Sequence, residues 1–306
     1  MAQSGVFSAA DAARVGVSGD ELTTLVRHRE IVRVRRAAYV LADAYADAQP
    51  SERYLLRVKA ILRSRDSGDR ASHHSALAVL GIGTVGTSWD VVAIESKGIS
   101  RPRVRAGLAK HPWSGGDTWS TREHSTVAPA TACVQVAVAD GFEAGVCAMD
   151  SALRLGLCTI ADLREAVAAS LPPLRRTLAQ RAVSCCDPTA ESVGESRTRI
   201  ILTDAGFDVR AQVDLADERG FIGRVDFLVD ECVVVEFDGL QKYAGAEGHV
   251  ALAAEKAREE RLTRLGYEVV RIIWSDLADP VAVVRRVAQA RQVALQRRAA
   301  VRSPRR

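Results

Sequence analysis

Between Gly223 and Tyr243 the chain sets acidic side chains into an apolar stretch, Gly-Arg-Val-Asp-Phe-Leu-Val-Asp-Glu-Cys-Val-Val-Val-Glu-Phe-Asp-Gly-Leu-Gln-Lys-Tyr. The pattern predicts a strand over Arg224–Val229, a turn at Asp230-Glu231 and a second strand over Cys232–Phe237. The second run is nearly all β-branched and apolar, as in a strand covered on both faces. Asp226, Glu236 and Asp238 interrupt this ribbon. An unpaired buried carboxylate costs several kcal/mol, so a cation or donors must compensate. Side chains alternate along a strand, which puts Glu236 and Asp238 on one side, with Asp226 arriving from the neighbouring strand. Two or three carboxylates at a strand end make a hard-oxygen site for Mg²⁺, or Mn²⁺, with Asp226 and Glu236 as the metal ligands. An ion held there activates water and stabilises charge on a phosphodiester.

The elements around the hairpin follow from periodicity and caps. Glu191–Ala205 reads as a helix ended by Gly206, and Val209–Leu215 as a strand. Ala251–Leu265 is a strongly charged helix stopped by Gly266; Glu268–Trp274 is a strand and Val281–Arg298 a helix. Helix, three strands, helix, strand, helix describes an α/β domain with a mixed sheet. The basic run Arg297–Arg306 closes the chain as a disordered tail.

At the other end, Ser8 caps a short helix with Phe7, Ala10, Ala13 and Val15 on its apolar face. Gly16-Val17-Ser18 turns the chain into a second helix, Asp20–Arg29, with Leu22, Leu25 and Val26 inward. Ile31–Leu41 follows as strand, basic tip and strand. This is a helix-turn-helix with a wing. Thr23, Thr24, Arg27 and His28 would face a DNA major groove, and Arg33, Arg35 and Arg36 the phosphates. The bland alternative is a solvated surface on a small structural domain.

The middle begins with helices over Gln49–Leu62 and Ala71–Leu80, separated by a loop at Ser67-Gly68-Asp69. Short strands fill Val85–Gly116. Helical signals resume over Val127–Ala148 and on to Arg154, then Thr159–Ala169, and after Pro172-Pro173 an arginine-rich helix. His73 and His74 are sequence neighbours and point about 100° apart on a helix, so they do not chelate together. Trp113 and Trp119 read as loop or edge aromatics without a clear task. The boundaries expected are 1–66, 67–183, 184–298 and a tail over 299–306: an α/β multi-domain chain.

With 306 residues and 47% hydrophobic composition the chain has material for several cores. No apolar run reaches the ~20 residues of a membrane helix. The opening Met-Ala-Gln-Ser-Gly lacks the basic and apolar parts of a signal peptide, which predicts a cytoplasmic chain. The six cysteines are scattered, with only Cys185 and Cys186 adjacent. That spacing fits neither a disulfide framework nor a zinc motif, and predicts reduced thiols. A net charge of +4 with clustered arginine permits nucleic-acid binding.

Set in order, these residues resemble the PD-(D/E)xK nuclease superfamily, and within it the restriction-endonuclease-like domains related to very-short-patch-repair endonucleases. The likeness spans about 187–290. It rests on Glu195-Ser196-x-x-Arg199, Gln212, Arg224-Val225-Asp226-Phe227, Val235-Glu236-Phe237-Asp238-Gly239, Arg258, Leu265-Gly266-Tyr267 and Val270-Arg271. It implies Mg²⁺-dependent hydrolysis of DNA leaving a 5′-phosphate, in phage defence or DNA repair. Two positions depart from the pattern. The superfamily usually has Lys two residues after the Glu, where Asp238 stands. The repair-related domains often have His three residues after the glycine, where Lys242 stands, so Lys242 is expected to supply the missing cation. By the resemblance, Glu195 reaches the metal shell through water and Asp238 binds a second metal or orients the attacking water. Gln241 positions water or phosphate, and Arg199 and Arg258 contact the DNA backbone or pair with the acids.

The N-terminal part resembles the winged helix of AbiEi-type antitoxins through Gly5-Val6-Phe7, Asp11-Ala12, Gly16-Val17-Ser18, Leu22, Leu25-Val26, Ile31, Val34-Arg35-Arg36 and Tyr39. The middle, with Asp150-Ser-Ala-Leu153 and Gly156-Leu157, resembles the remainder of such proteins. That likeness implies an autorepressor with a toxin protein partner. The two readings, a targeted nuclease and a non-catalytic DNA-binding regulator, both stand at this point. Neither places the chain at a membrane.

Overall fold

The computed structural model describes residues 5–65, 68–86, 88–121, 123–170, 176–239 and 246–302. The chain is an α/β multi-domain protein that divides into two compact units, Met1–Cys186 and Asp187–Arg306. No helix among the described residues is long and apolar enough to cross a membrane.

The first unit starts with β1 (Val6–Ser8), α1 (Ala9–Arg14), α2 (Gly19–Arg27), β2 (Ile31–Arg35) and β3 (Ala38–Leu41), the strands ordered β1-β3-β2 and antiparallel. Both helices start on reciprocal caps: Ser8 with Asp11, and Ser18 with Glu21. Phe7, expected on the face of the first helix, lies in β1 and stacks on Tyr39 at 5.5 Å. Because Ser8 starts the helix directly after the strand, Ala12 is the residue turned inward, and Val15 is 77% exposed. α3 (Ala42–Ala46) leads to α4 (Pro50–Arg63), which packs on β1 and β3 and buries Tyr54, Val58, Ala60 and Ile61.

The rest of this unit is a mixed sheet with helices against it. Its strands are β4 (Arg70–Ala71), β5 (Val92–Ser96), β6 (Arg103–Arg105), β7 (Leu108–Pro112), β8 (Thr118–Ser120) and β9 (Ser125–Val127), ordered β6-β7-β5-β4-β9-β8. α5 (His73–Leu80) follows β4. α6 (Pro129–Asp140), α7 (Phe142–Arg154), α8 (Ile160–Ser170) and α9 (Arg176–Cys185) form a helical layer. Arg70 and Glu95 pair at 2.8 Å with side chains 1% exposed. The guanidinium of Arg70 lies 3.7 Å from the ring centroid of Trp113, which gives that aromatic a task. His73 stacks on His111 at 4.1 Å, and burial pushes its pKa down to about 3, so the ring is neutral. All six cysteines are free. Pro172-Pro173 and Ser67 lie outside the described residues.

The second unit runs α10 (Val193–Asp204), β10 (Val209–Asp217), β11 (Gly220–Val229), β12 (Val233–Asp238), α11 (Ala246–Arg264), β13 (Glu268–Ile273) and α12 (Pro280–Arg302). Its sheet is ordered β10-β11-β12-β13, with the last pair parallel and the others antiparallel. Val233 and Val235 enter one core with Leu202, Val283 and Val287, while Val234 enters another with Leu215 and Leu262. That two-sided burial is why Cys232–Val235 is an unbroken apolar run. α12 continues through Arg302, so Arg297–Arg302 is helical rather than a tail; Arg297 pairs with Glu268, and Arg298 lies over the Tyr267 ring at 5.3 Å. Residues 303–306 lie outside the described residues.

Candidate functional site

Asp226, in β11, accepts a hydrogen bond from the Phe237 backbone N–H at 2.8 Å. The β11–β12 ladder ends at Phe227↔Val235, and Asp226 and Glu236 are the next residue of each strand, near enough that the Glu236 charge acts on Asp226. Burial pushes the pKa of Asp226 up to about 6. The Phe237 N–H bond works against that rise; the negative fields of Glu195, Glu236 and Glu191 add to it.

Glu195 sits in the first turn of α10, whose N-cap is Ser192, and is 6% exposed. Its carboxylate accepts from the Glu191 N–H at 2.9 Å and from the Gln212 amide at 3.1 Å. Gln212 is itself left-handed, with φ of 52°. Ahead of it, Val209 and Ala211 pack with the α10/α12 core; after it, Val213 and Leu215 join the α11 core. β11 switches the same way around Asp226, with Phe227 and Val229 in the first core and Val225 in the second. One strained residue thus inverts the strand's facing beside the acidic pair. The sequence carries no signal for this inversion, because its only mark is a positive φ at a non-glycine residue, Gln212.

Glu236 is held by two arginines: Arg258 of α11 at 2.6 Å and Arg271 of β13 at 3.8 Å. Arg258 also meets Glu255 at 3.4 Å and donates to the Arg224 carbonyl at 3.3 Å. A Cβ on Gly223 would lie 2.8 Å from the Arg258 Nε, so that glycine makes room for the guanidinium. Arg258 therefore pairs with the acids in this structure, one of its two expected roles. Arg199 follows Glu195 by one turn and is partly buried. Asp238 ends β12, partly buried, on the side of Glu236. Gln241 and Lys242 lie outside the described residues.

Beneath the pair, Phe237 packs edge-on against Trp274 at 5.2 Å and over Gly194, where a Cβ would lie 2.1 Å from the ring. Gly194 was not singled out by the sequence, and its place beside Glu195 was the available hint.

Among the described residues no three His, Cys, Asp or Glu side chains form a ready metal cage. The candidate donors are the Asp226 and Glu236 carboxylates, with Glu195 close enough to raise Asp226. They suit Mg²⁺, which commonly takes one or two carboxylates and completes its shell with water and phosphate.

In the N-terminal domain Thr23, Thr24 and Arg27 are exposed on α2, but both hydroxyls bond back to the helix, to the Gly19 carbonyl at 2.9 Å and the Asp20 carbonyl at 3.0 Å. His28 lies past the helix as its C-cap, 3.8 Å from Glu30, because α2 ends at Arg27 rather than Arg29. Arg33 and Arg36 are exposed on the wing. Arg35 instead donates to the carbonyls of Arg105 and Ala106, at 3.1 and 2.6 Å.

No family model matches the chain. It is 27% identical over 192 residues to two uncharacterized Mycobacterium tuberculosis proteins, MT2308 of strain CDC 1551 and Rv2248 of strain H37Rv, a stretch covering 62% of this chain and 70% of each relative.

Proposed function

We propose that this chain is a Mg²⁺-dependent DNA endonuclease directed to its target by the N-terminal winged helix. Asp226 carries the reading: a buried carboxylate raised to about 6, lying in the fields of Glu195 and Glu236. A divalent ion relieves that repulsion, and a substrate phosphate brings oxygens that a two-carboxylate site lacks. Mg²⁺, or Mn²⁺, bound there would polarise the phosphodiester and lower the pKa of a bound water.

Asp226 and Glu236, with the Phe237 carbonyl, are the groups to hold the ion. Glu195, fixed by the Glu191 N–H and Gln212, would reach its water shell. Asp238 would orient the attacking water or bind a second ion. Lys242 would neutralise charge on the substrate phosphate, and Gln241 would position water or phosphate. Arg258 and Arg271 hold Glu236 at rest and find alternative acceptors in DNA phosphates. Incubation with supercoiled plasmid and Mg²⁺ should give nicked and linear DNA bearing 5′-phosphates, and Asp226→Ala or Glu236→Ala should abolish it. Undiminished cleavage by both variants overturns the assignment.

One observation favours a second reading, a non-catalytic regulator or antitoxin with a toxin partner: Arg258 and Arg271 already compensate Glu236. A gel shift on the DNA upstream of its own coding sequence, without cleavage under Mg²⁺ or Mn²⁺, would favour that regulator.

A further inference from the structure

In the first unit Arg14, Arg63, Arg65 and Arg70 each meet a carboxylate. In the second unit Arg210, Arg224, Arg258, Arg261, Arg271 and Arg291 each pair with a carboxylate. On the wing and on β6, Arg33, Arg36, Arg101, Arg103 and Arg105 are exposed, and none pairs with a carboxylate among the described residues. Between Glu95 and Asp117 the chain holds Lys97, Arg101, Arg103, Arg105 and Lys110 and no acidic residue; Ile31–Leu41 is likewise free of acid.

These two basic segments are joined. Ala106 and Gly107, with φ of 47° and 72°, make the tight turn between β6 and β7. The carbonyls of Arg105 and Ala106 accept from Arg35 of the wing. β6 is the edge of its sheet, and its register sets Arg103 opposite Lys110. Like charges directly across a strand pair repel. An edge strand needs some charge to stay unpaired, but two facing cations with no carboxylate call for an anion from outside.

We infer that β6 continues the wing as one phosphate-binding surface, so that duplex DNA lies along Arg33 and Arg36 and on across Arg103 and Arg105. This rests on the DNA-targeting reading of the winged helix. Arg35 does not touch DNA; it ties the two halves together. The surface reads the phosphate backbone and adds affinity without sequence preference.

The test measures anisotropy of a short fluorescein-labelled random-sequence duplex with the full chain in EDTA, across a KCl series. Arg103→Gln/Arg105→Gln should weaken binding and lower the slope of log Kd against log[KCl] by about 1.8, two contacts at about 0.9 each. Arg103→Glu/Arg105→Glu should weaken it further with an unchanged circular dichroism spectrum. Arg164→Gln, an exposed arginine on α8, should leave the slope alone. A wild-type slope for the β6 variants, with a lowered slope for Arg33→Gln/Arg36→Gln, overturns the continuation and leaves the winged-helix reading standing. No binding by the wild-type chain, or no change from either pair, overturns both.

Discussion

The pKa of Asp226 rises to about 6 because burial and three neighbouring carboxylates resist its ionisation more than one backbone N–H supports it. The consequence for stability has a definite sign. Its folded pKa, about 6, lies above the ordinary aspartate value of 3.8. The folded chain therefore binds more protons than the unfolded chain between those values, and stability falls as pH rises through that window. Asp226→Asn removes the penalty and can still accept from the Phe237 N–H. Its melting temperature should exceed wild type at pH 8, by an effect on the order of 1 kcal/mol, and match it near pH 4. Adding Mg²⁺ at pH 8 should raise the melting temperature of wild type and not of this variant. Equal melting at both pH values would show that Asp226 is not held against its charge. The residue types of this site were legible in the sequence, since acids in an apolar ribbon demand an explanation. The arginines on Glu236 were not: Arg258 lies on α11 and Arg271 on β13, and only the closed sheet brings them together.

Among the elements, α10 and β12 meet where the Phe237 ring lies against Gly194. Gly194→Ala places a methyl within the ring's own volume, so ring and helix must separate. Overpacking of this kind costs about 1–3 kcal/mol, read as a lower denaturant midpoint with an unchanged m-value. Because Glu195 is the next residue, the same variant should lower any Mg²⁺-dependent cleavage by displacing its carboxylate. A midpoint equal to wild type would mean the contact is looser than the structure has it. The strands of this unit were expected from alternation and turn residues, and their ends move by a few residues at most: β10 runs to Asp217 and β11 starts at Gly220. The inversion of facing at Gln212 was hidden, because local pattern carries no record of a backbone angle that packing imposes.

At the scale of the whole molecule, each unit closes its own cores, the second with two clusters on opposite faces of one sheet. Expressed alone, residues 187–306 should melt cooperatively, because that unit closes its own cores. Since Arg258, Arg261, Arg271 and Arg291 are paired with carboxylates at rest and the unit lacks the wing and β6, this unit alone should bind a random duplex at least tenfold more weakly than the full chain, with a shallower salt slope. Equal affinity would place the main phosphate contacts in the second unit. The sequence by itself determined the α/β class, the two N-terminal helices and the strand pair that follows them, the four-stranded order of elements near the C-terminus and the acidic residues that need a partner. Those follow from periodicity, caps and the energetic penalty of burying charge, all of them local. Tertiary structure alone decided which cation meets Glu236, which residue carries the strain beside Asp226, and that the wing is tied by Arg35 to a strand some seventy residues away. Those depend on long-range closure, where side chains distant in sequence compete for the same few acceptors.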